Sequence, residues 1–281
     1  MANLKGKTVF ITGASRGIGR AIALKCAADG ANVVLASKTS DPHPRLAGTI
    51  HTVAAEVIAA GGKALPIQLD VRFEEGVLKA VALTVETFGG LDVLVNNAGA
   101  ISLTGIDSTP MKKFDLMLGI NARAVFLCTQ ACLPHLIASA KAGRSPHVLS
   151  MSPPVNLDPR WIKGHAAYTL SKYGMTLLTM GTALELVEHG VAMNALWPRT
   201  VISTAAIEML MGDDGLQKSR TPDIMADATY AIVTTEKMAM TGRAVLDDEI
   251  LAERGVTDFA KYLSTPGVEP LPDLYVGEPW G

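Results

Sequence analysis

Tyr168 and Lys172 stand four residues apart in a helix-compatible stretch, residues 168–189. That spacing brings both side chains to one helix face. A phenol with a reference pKa of about 10 is a poor acid–base catalyst at neutral pH. A neighbouring ammonium favours the phenolate and pulls that value down. Two unrelated helix residues reach the same spacing by chance, so the pair gains meaning only from its companions.

A second group of residues suits phosphate chemistry. The strand-like run Thr8-Val9-Phe10-Ile11 leads into Thr12-Gly13-Ala14-Ser15-Arg16-Gly17-Ile18-Gly19 and then into a helix. Glycines in such a turn allow positive φ, close approach of backbone to a pyrophosphate, and tight helix–strand packing. The helix start adds unpaired N–H groups and a positive dipole end. Because the triplet follows a strand and opens a helix, it predicts a dinucleotide site; the bland alternative is a structural turn. The second strand ends at Ala36, Ser37 and Lys38, with no acid before Asp41. NAD sites place an acid there and NADP sites place cations. Lys38 and Arg16 therefore predict NADP(H) over NAD(H). If both are solvated surface charges, the preference stays open.

These groups need a scaffold. Short apolar runs recur at 8–11, 32–36, 64–69, 92–95, 147–151, 191–196 and 244–246. They lack clean alternation, as strands covered on both faces do. Helix-compatible stretches at 17–29, 114–141 and 168–189 separate them. The expectation is a single α/β domain over residues 1–281. Its core is a doubly wound, Rossmann-type parallel sheet of about seven strands with helices on both faces. Asp41-Pro42-His43-Pro44 reads as a surface loop. The tail from about 265, with Pro266, Pro270, Pro272 and Pro279, reads as irregular, packed on the body or on a partner subunit.

Composition excludes several classes. The formal net charge is −2 and no basic run suits nucleic acid. No apolar run approaches the ~20 residues of a membrane span, and residues 1–7 lack the features of a signal peptide. Three cysteines, Cys26, Cys128 and Cys132, argue against a disulfide framework and fit the cytoplasm. Cys128 and Cys132 could share a helix face, but small buried residues explain them better than a metal, and none is expected.

Further motifs complete the pattern. Asp70-Val71 ends strand three, Asn96-Asn97-Ala98-Gly99 follows strand four, Asn121 lies within the next helix, and Ser150-Met151-Ser152 ends strand five. With the glycine turn and the Tyr-x3-Lys pair, the chain closely resembles the short-chain dehydrogenase/reductase family over nearly its whole length. The resemblance implies Tyr168 as general acid or base and Lys172 as the group that lowers its pKa and holds the nicotinamide ribose. It implies a strand-five serine that positions the substrate oxygen and Asn121 as support for a proton-relay water chain. Asp70 and Val71 would flank the adenine. Asn96, Asn97, Ala98, Gly99 and Pro198 would line the cofactor cleft. The substrate would be a small carbonyl compound or alcohol, and the protein a homodimer or homotetramer paired through the helices that hold Asn121 and Tyr168. Phe126, Leu127, Leu133, Leu177, Leu178 and Met180 permit such faces, though core packing explains them equally.

Two positions depart from that family. The usual serine lies thirteen residues before the tyrosine, where this chain has Val155; Ser152, followed by Pro153-Pro154, is the candidate instead. The usual Pro-Gly after strand six is Pro198-Arg199, which makes Arg199 a candidate to face cofactor or substrate. More narrowly, residues 97–104, 152–159, 194–198 and Ser37-Lys38-Thr39 resemble the hydroxysteroid dehydrogenase-like protein 2 group, without its C-terminal sterol-carrier domain. The substrate pocket is expected from residues 152–165, 100–104 and a lid at about 199–221. The lid is rich in Met and aliphatic residues suited to apolar or lipid-like ligands; plain helix packing explains it as well. Trp161 and Trp197 suit pocket or core. The alternative function is an NADP(H)-binding protein with weak or no turnover, favoured by the Ser-Pro-Pro segment. An extended-type epimerase or dehydratase fits the glycine spacing poorly.

Overall fold

A computed structural model of the chain describes residues 3–42, 44, 46–236 and 238–277. His43 of the Pro-His-Pro loop and Pro279 of the tail lie outside the described residues. The seven apolar runs become strands β1 Thr8–Thr12, β2 Asn32–Ser37, β3 Lys63–Gln68, β4 Val93–Asn96, β5 His147–Met151, β6 Ala192–Trp197 and β7 Ala244–Leu246. All pair in parallel, in the order β3-β2-β1-β4-β5-β6-β7. This is the Rossmann-type sheet expected from the alternating pattern.

Side chains alternate across the sheet and split the core in two. Val9, Ile11, Val33, Leu35, Val93 and Val95 join one buried cluster, whereas Phe10, Val34, Leu94 and Val148 join the other. Helices α1 Gly17–Ala28, α2 Ile50–Ala59 and α9 Asp223–Val233 contribute to the first. Helices α3 Glu74–Phe88, α5 Ala124–Lys141 and α7 Ala166–Leu186 contribute to the second. Because both faces are covered, runs without polar alternation are what this sheet requires. Cys26, Cys128 and Cys132 are buried in these clusters, and burial pushes the Cys26 and Cys128 thiols up to about 12.

The long helix expected at 114–141 begins earlier, as α4 Met111–Leu118, and runs through a π-helical turn, Gly119–Arg123, into α5. A π turn is a local widening often found at functional sites. It buries Asn121 completely. Residues Met111–Lys141 are long and apolar enough to cross a membrane by length and composition, with 44% of the most apolar window buried. Here that run packs against α3, α7 and the sheet.

After β5, a short helix, α6 Pro159–Ile162, precedes α7. After β6, α8 Ala205–Gln217 precedes α9, and α10 Asp247–Glu253 follows β7. Within α8, Gly212 at φ 63° and ψ −157° breaks the helical path, a conformation an L side chain rarely adopts. The tail takes the first of the two placements left open: it packs on the body. Thr200 bridges Pro272, Val201 N–H donates to Leu271 O at 3.0 Å, and Leu271 N–H donates to Lys218 O at 2.9 Å. A third apolar cluster forms there, with Tyr168, Tyr173, Trp161 and Trp197 against Leu274, Tyr275 and Val276.

Candidate active site

The chain leaves β1 towards one side of the sheet and returns at β4 on the other, so a crevice opens at their C-terminal ends. Two hydrogen-bonding residues shape it. Thr12 Oγ1 accepts from the N–H groups of Asn97 and Ala98, each at 3.0 Å. The Asn97 amide donates to Thr12 O at 2.9 Å and Gly13 O at 3.1 Å. The two loops therefore pack closely. Gly13 sits at φ 69°, and a Cβ there would lie 2.9 Å from Ala98 Cα. A Cβ at Gly19 would meet Gly13 O at 2.5 Å. Arg16, which precedes helix α1, gives it no side-chain cap, and no side chain among the described residues accepts from the first N–H groups of the helix, as an anion site requires.

A pocket of about 330 Å³ opens at this corner, lined by Gly13, Ser15, Arg16, Lys38, Asp70, Val71, Asn97, Ala98 and Gly99. Gly13 and the residues leading into α1 form one side of it, and Asp70 and Val71, just after β3, form another. The Arg72 guanidinium beside Asp70 holds its carboxyl down at about 2. Lys38 is exposed, with Nζ 3.4 Å from Asp70 Oδ2. Arg16 turns its guanidinium to Ala47 O and Gly48 O at 3.0 and 2.9 Å. Ile18 and Pro198 lie instead in the neighbouring cavity.

That neighbouring cavity, about 530 Å³, contains Tyr168 and Lys172. Both are buried on α7. Lys172 Nζ donates to Met151 O at 2.9 Å and lies 5.0 Å from the centre of the Trp197 ring. Burial lowers its pKa to about 8, against the opposing charge of Asp273. Burial pushes the Tyr168 phenol well up, and Tyr275 and Asp273 push it in the same direction. In the protein alone, then, desolvation outweighs the lowering expected from the Tyr-x3-Lys spacing. The walls are apolar: Ile101, Leu103, Ile202, Ile207, Leu210 and Met211, with Trp197.

Asn121 braces this arrangement. Its amide donates to Ala100 O at 3.0 Å and Ser171 Oγ at 2.8 Å, and its oxygen accepts from Ala100 N–H at 2.9 Å. The π turn thereby ties the loop after β4 to α7. A Cβ at Gly99 would fall 3.6 Å from Asn121 Oδ1 and 3.7 Å from Lys172 Nζ, ordinary contact distances that place this residue against the junction of the loop and α7. Ser152 is fully buried, its hydroxyl has no hydrogen-bond partner among the described residues, and it is not among the residues lining the cavity. Ser150 Oγ accepts from Thr179 Oγ1 at 2.9 Å.

Two expectations about the pocket need correction, and Trp161 takes one of the two placements left open for it. Residues 152–165 do not line the cavity; Tyr173 and Thr176 hold that loop against α7, through Asn156 O and Pro153 O at 2.7 Å each. Trp161 belongs to the core beside it. Arg199 faces neither cofactor pocket nor cavity, because its guanidinium pairs with Asp248 and with Glu249 on α10. The missing wall comes from the tail, as Asp273 and Leu274. Nothing periodic marks those residues; the one sequence signal is a Pro-rich end that retains apolar Leu274, Tyr275 and Val276. The segments at 100–104 and 199–221 do supply the other walls, through Ile101, Leu103, Ile202, Ile207, Leu210 and Met211.

Comparisons with known proteins agree with this geometry. The family description "short chain dehydrogenase" matches residues 7–211. The chain is 54% identical to hydroxysteroid dehydrogenase-like protein 2 of Danio rerio, over 98% of this chain and 65% of that relative's length. It thus spans a little under two thirds of that longer protein. A crystal structure of a Xanthomonas campestris protein is 54% identical with a TM-score of 0.93, covering 98% of this chain and all of that one. A short chain dehydrogenase from Mycobacterium thermoresistibile is 48% identical with a TM-score of 0.91, covering 99% and 98% respectively. On its sequence, its fold and the placement of its motifs, the chain belongs to the short-chain dehydrogenase family.

Proposed function

We propose that the protein is an NADP(H)-dependent oxidoreductase acting on an apolar carbonyl compound or secondary alcohol. The observation that carries this reading is the placement of Tyr168 and Lys172 in an apolar cavity that meets the dinucleotide pocket at Asn97. The family's fold binds nicotinamide cofactors. Gly13, Ser15, Gly17, Ile18 and Gly19 would hold the phosphates at the start of α1, with Asp70, Val71, Asn97, Ala98, Gly99 and Pro198 around the rest. When bound, the nicotinamide supplies or accepts the hydride.

The chain's own residues manage the proton. Tyr168 gives it to the carbonyl oxygen in reduction and takes it from the alcohol in oxidation. Its high intrinsic pKa suits the first role; a cationic Lys172 beside it serves the second. Asn121 holds the loop and helix that place these groups, and the apolar walls exclude water from them. The segment 199–221 acts as a lid, with Gly212 a point where α8 can bend.

Lys38 favours NADP(H). It stands at the pocket rim, and no acid occupies the end of β2 to bind a ribose hydroxyl. Arg16 contributes less, since its guanidinium is engaged with the 47–48 backbone. NADPH should bind about five- to tenfold more tightly than NADH, near 1 kcal/mol for one exposed charge-assisted contact. Fluorescence titration of both cofactors tests this; equal affinities, or tighter NADH, reject it. Lys38→Asp should reverse the order.

A second reading, a cofactor-binding protein of weak turnover, draws support from the buried hydroxyl of Ser152 lying outside the cavity. Nicotinamide oxidation with a panel of carbonyl compounds separates the two. Ser152→Ala sharpens the result: a large loss of turnover makes it the substrate-orienting serine, and a small loss shows that corner of the site rebuilt. Exposed apolar positions on α5 and α7 support a homodimer or homotetramer, and the buried free thiols fit a reducing, cytoplasmic setting.

A further inference from the structure

We propose that Asp273, carried by the C-terminal tail, is a specificity-determining residue: it selects apolar substrates that bear a second, hydrogen-bond-donating group, a hydroxyl or an ammonium, and rejects carboxylates. The inference rests on the reading above, that the cavity holding Tyr168 and Lys172 is where substrate binds.

Placement comes first. Asp273 and Leu274 form one wall of the cavity, and Asp273 is the one acidic side chain among its lining residues. The rest of the lining is mainly aliphatic. Putting a carboxyl in such surroundings is costly unless a partner meets it. Oδ1 accepts from Leu274 N–H at 2.6 Å. Oδ2 accepts no hydrogen bond among the described residues, and no side-chain cation lies within ion-pair distance of it. Lys172, whose charge acts on Asp273 from a distance, donates a hydrogen bond to Met151 O, lies over the Trp197 ring and makes no ion pair with the carboxyl among the described residues. One carboxylate oxygen is left for whatever enters the cavity.

The carboxyl is also built in. Asp273 N–H donates to Arg199 O at 2.9 Å, and Trp197 Nε1 donates to Leu274 O at 3.0 Å. Tyr275 follows at φ 72°, a left-handed conformation unfavourable for a bulky side chain. Ring contacts to Trp161, Tyr173 and Trp197, and a 3.1 Å hydrogen bond to Thr169, hold it there. Strain of this kind persists where the surroundings fix it, and it gathers at functional sites.

Electrostatics set the preference. Burial raises Asp273 to about 7, with Asp247 adding to the rise and Lys172 opposing it. An ammonium in the cavity favours the carboxylate and is held by it; a hydroxyl donates to either charge state. Where Asp273 is ionised, a second carboxylate meets repulsion in a poorly screened space, so the discrimination strengthens as pH rises above about 7.

The test is calorimetric binding of octylamine, octane-1,8-diol and octanoate to the NADP⁺-saturated protein and to the cofactor-free protein. Wild type should bind the amine and the diol at least tenfold more tightly than octanoate in at least one form. Asp273→Leu should bring all three within threefold, and the nearly isosteric Asp273→Asn should keep the diol and lose the amine preference. Octanoate binding as tightly as the others, or variants that keep the wild-type order while melting like wild type, overturns the proposal. Turnover is scored separately on octanal and on 8-hydroxyoctanal. If the binding order holds and neither is reduced, the oxidoreductase reading fails and this one stands; if both are reduced and the preference for 8-hydroxyoctanal over octanal is unchanged by Asp273→Leu, this one fails alone.

Discussion

At Lys172, catalysis and stability pull in opposite directions. The ammonium is buried, and its pKa falls from the usual lysine value to about 8. A lysine whose pKa falls on folding destabilises the native state fully below the folded value, and the penalty fades as pH climbs from about 8 towards the unfolded value. Lys172→Met should therefore raise stability at pH 7 by about 1–3 kcal/mol, with the gain shrinking above pH 8, while abolishing turnover. Urea unfolding at pH 7 and pH 10 checks the sign; equal or lower stability at pH 7 rejects it. Tyr168→Phe removes one hydroxyl, so fold and cofactor affinity should persist while turnover drops by ~10²–10⁴. A variant as fast as wild type on a confirmed substrate would rule out the proposed proton transfer. Tyr168 and Lys172 stood out in the sequence by type and spacing, whereas Asn97 and Asn121 drew attention only through the family resemblance. Asp273 was not, since a lone acid in a Pro-rich tail looks like any solvated charge. Arg199 misled for the opposite reason: its neighbour Pro198 lines the cavity, and only Asp248 and Glu249, about fifty residues later, show where the guanidinium goes.

Among the elements, the seven strands emerged from the sequence to within a residue or two, because a sheet covered on both faces demands short apolar runs. The π turn did not, since Gly119 to Arg123 is compatible with an ordinary helix and widens only where Asn121 must reach Ala100 and Ser171. Asn121→Ala leaves both polar groups of Ala100 without their partner. The expected cost is about 2–3 kcal/mol, with a lower melting temperature and weaker cofactor binding. If melting is unchanged, the brace is not structural. In the phosphate turn, Gly13→Ala meets positive φ and a contact 2.9 Å from Ala98 Cα together, so cofactor affinity should fall at least tenfold. Titration of NADPH against the variant measures it directly.

The whole molecule exposes an apolar stripe along α7. Leu170, Leu177 and Leu184 follow each other at seven-residue steps, with Gly174 and Gly181 between them, and Leu177 and Leu184 are 62% and 74% exposed. Phe126 is 52% exposed on α5. Of the six residues considered for an interface, Leu127 is buried in the core and so does not belong to that face, while Phe126, Leu177 and Met180 do. Light scattering should give a dimer or tetramer at micromolar concentration, and Leu177→Glu with Leu184→Glu should shift it to monomer; a wild-type monomer rejects the assembly. The tail has a kinetic consequence. Its partners, Arg199, Val201, Lys218 and Thr169, belong to segments that exist as a surface only once β6 and α7 are in place. It is therefore expected to dock late in folding and to open early by local unfolding. After dilution from urea, far-ultraviolet signal should recover before turnover does, and the Leu271 and Asp273 amides should exchange with solvent faster than those of β1 and β4. On that order, the wall proposed to select the substrate is the last part of the site to be built.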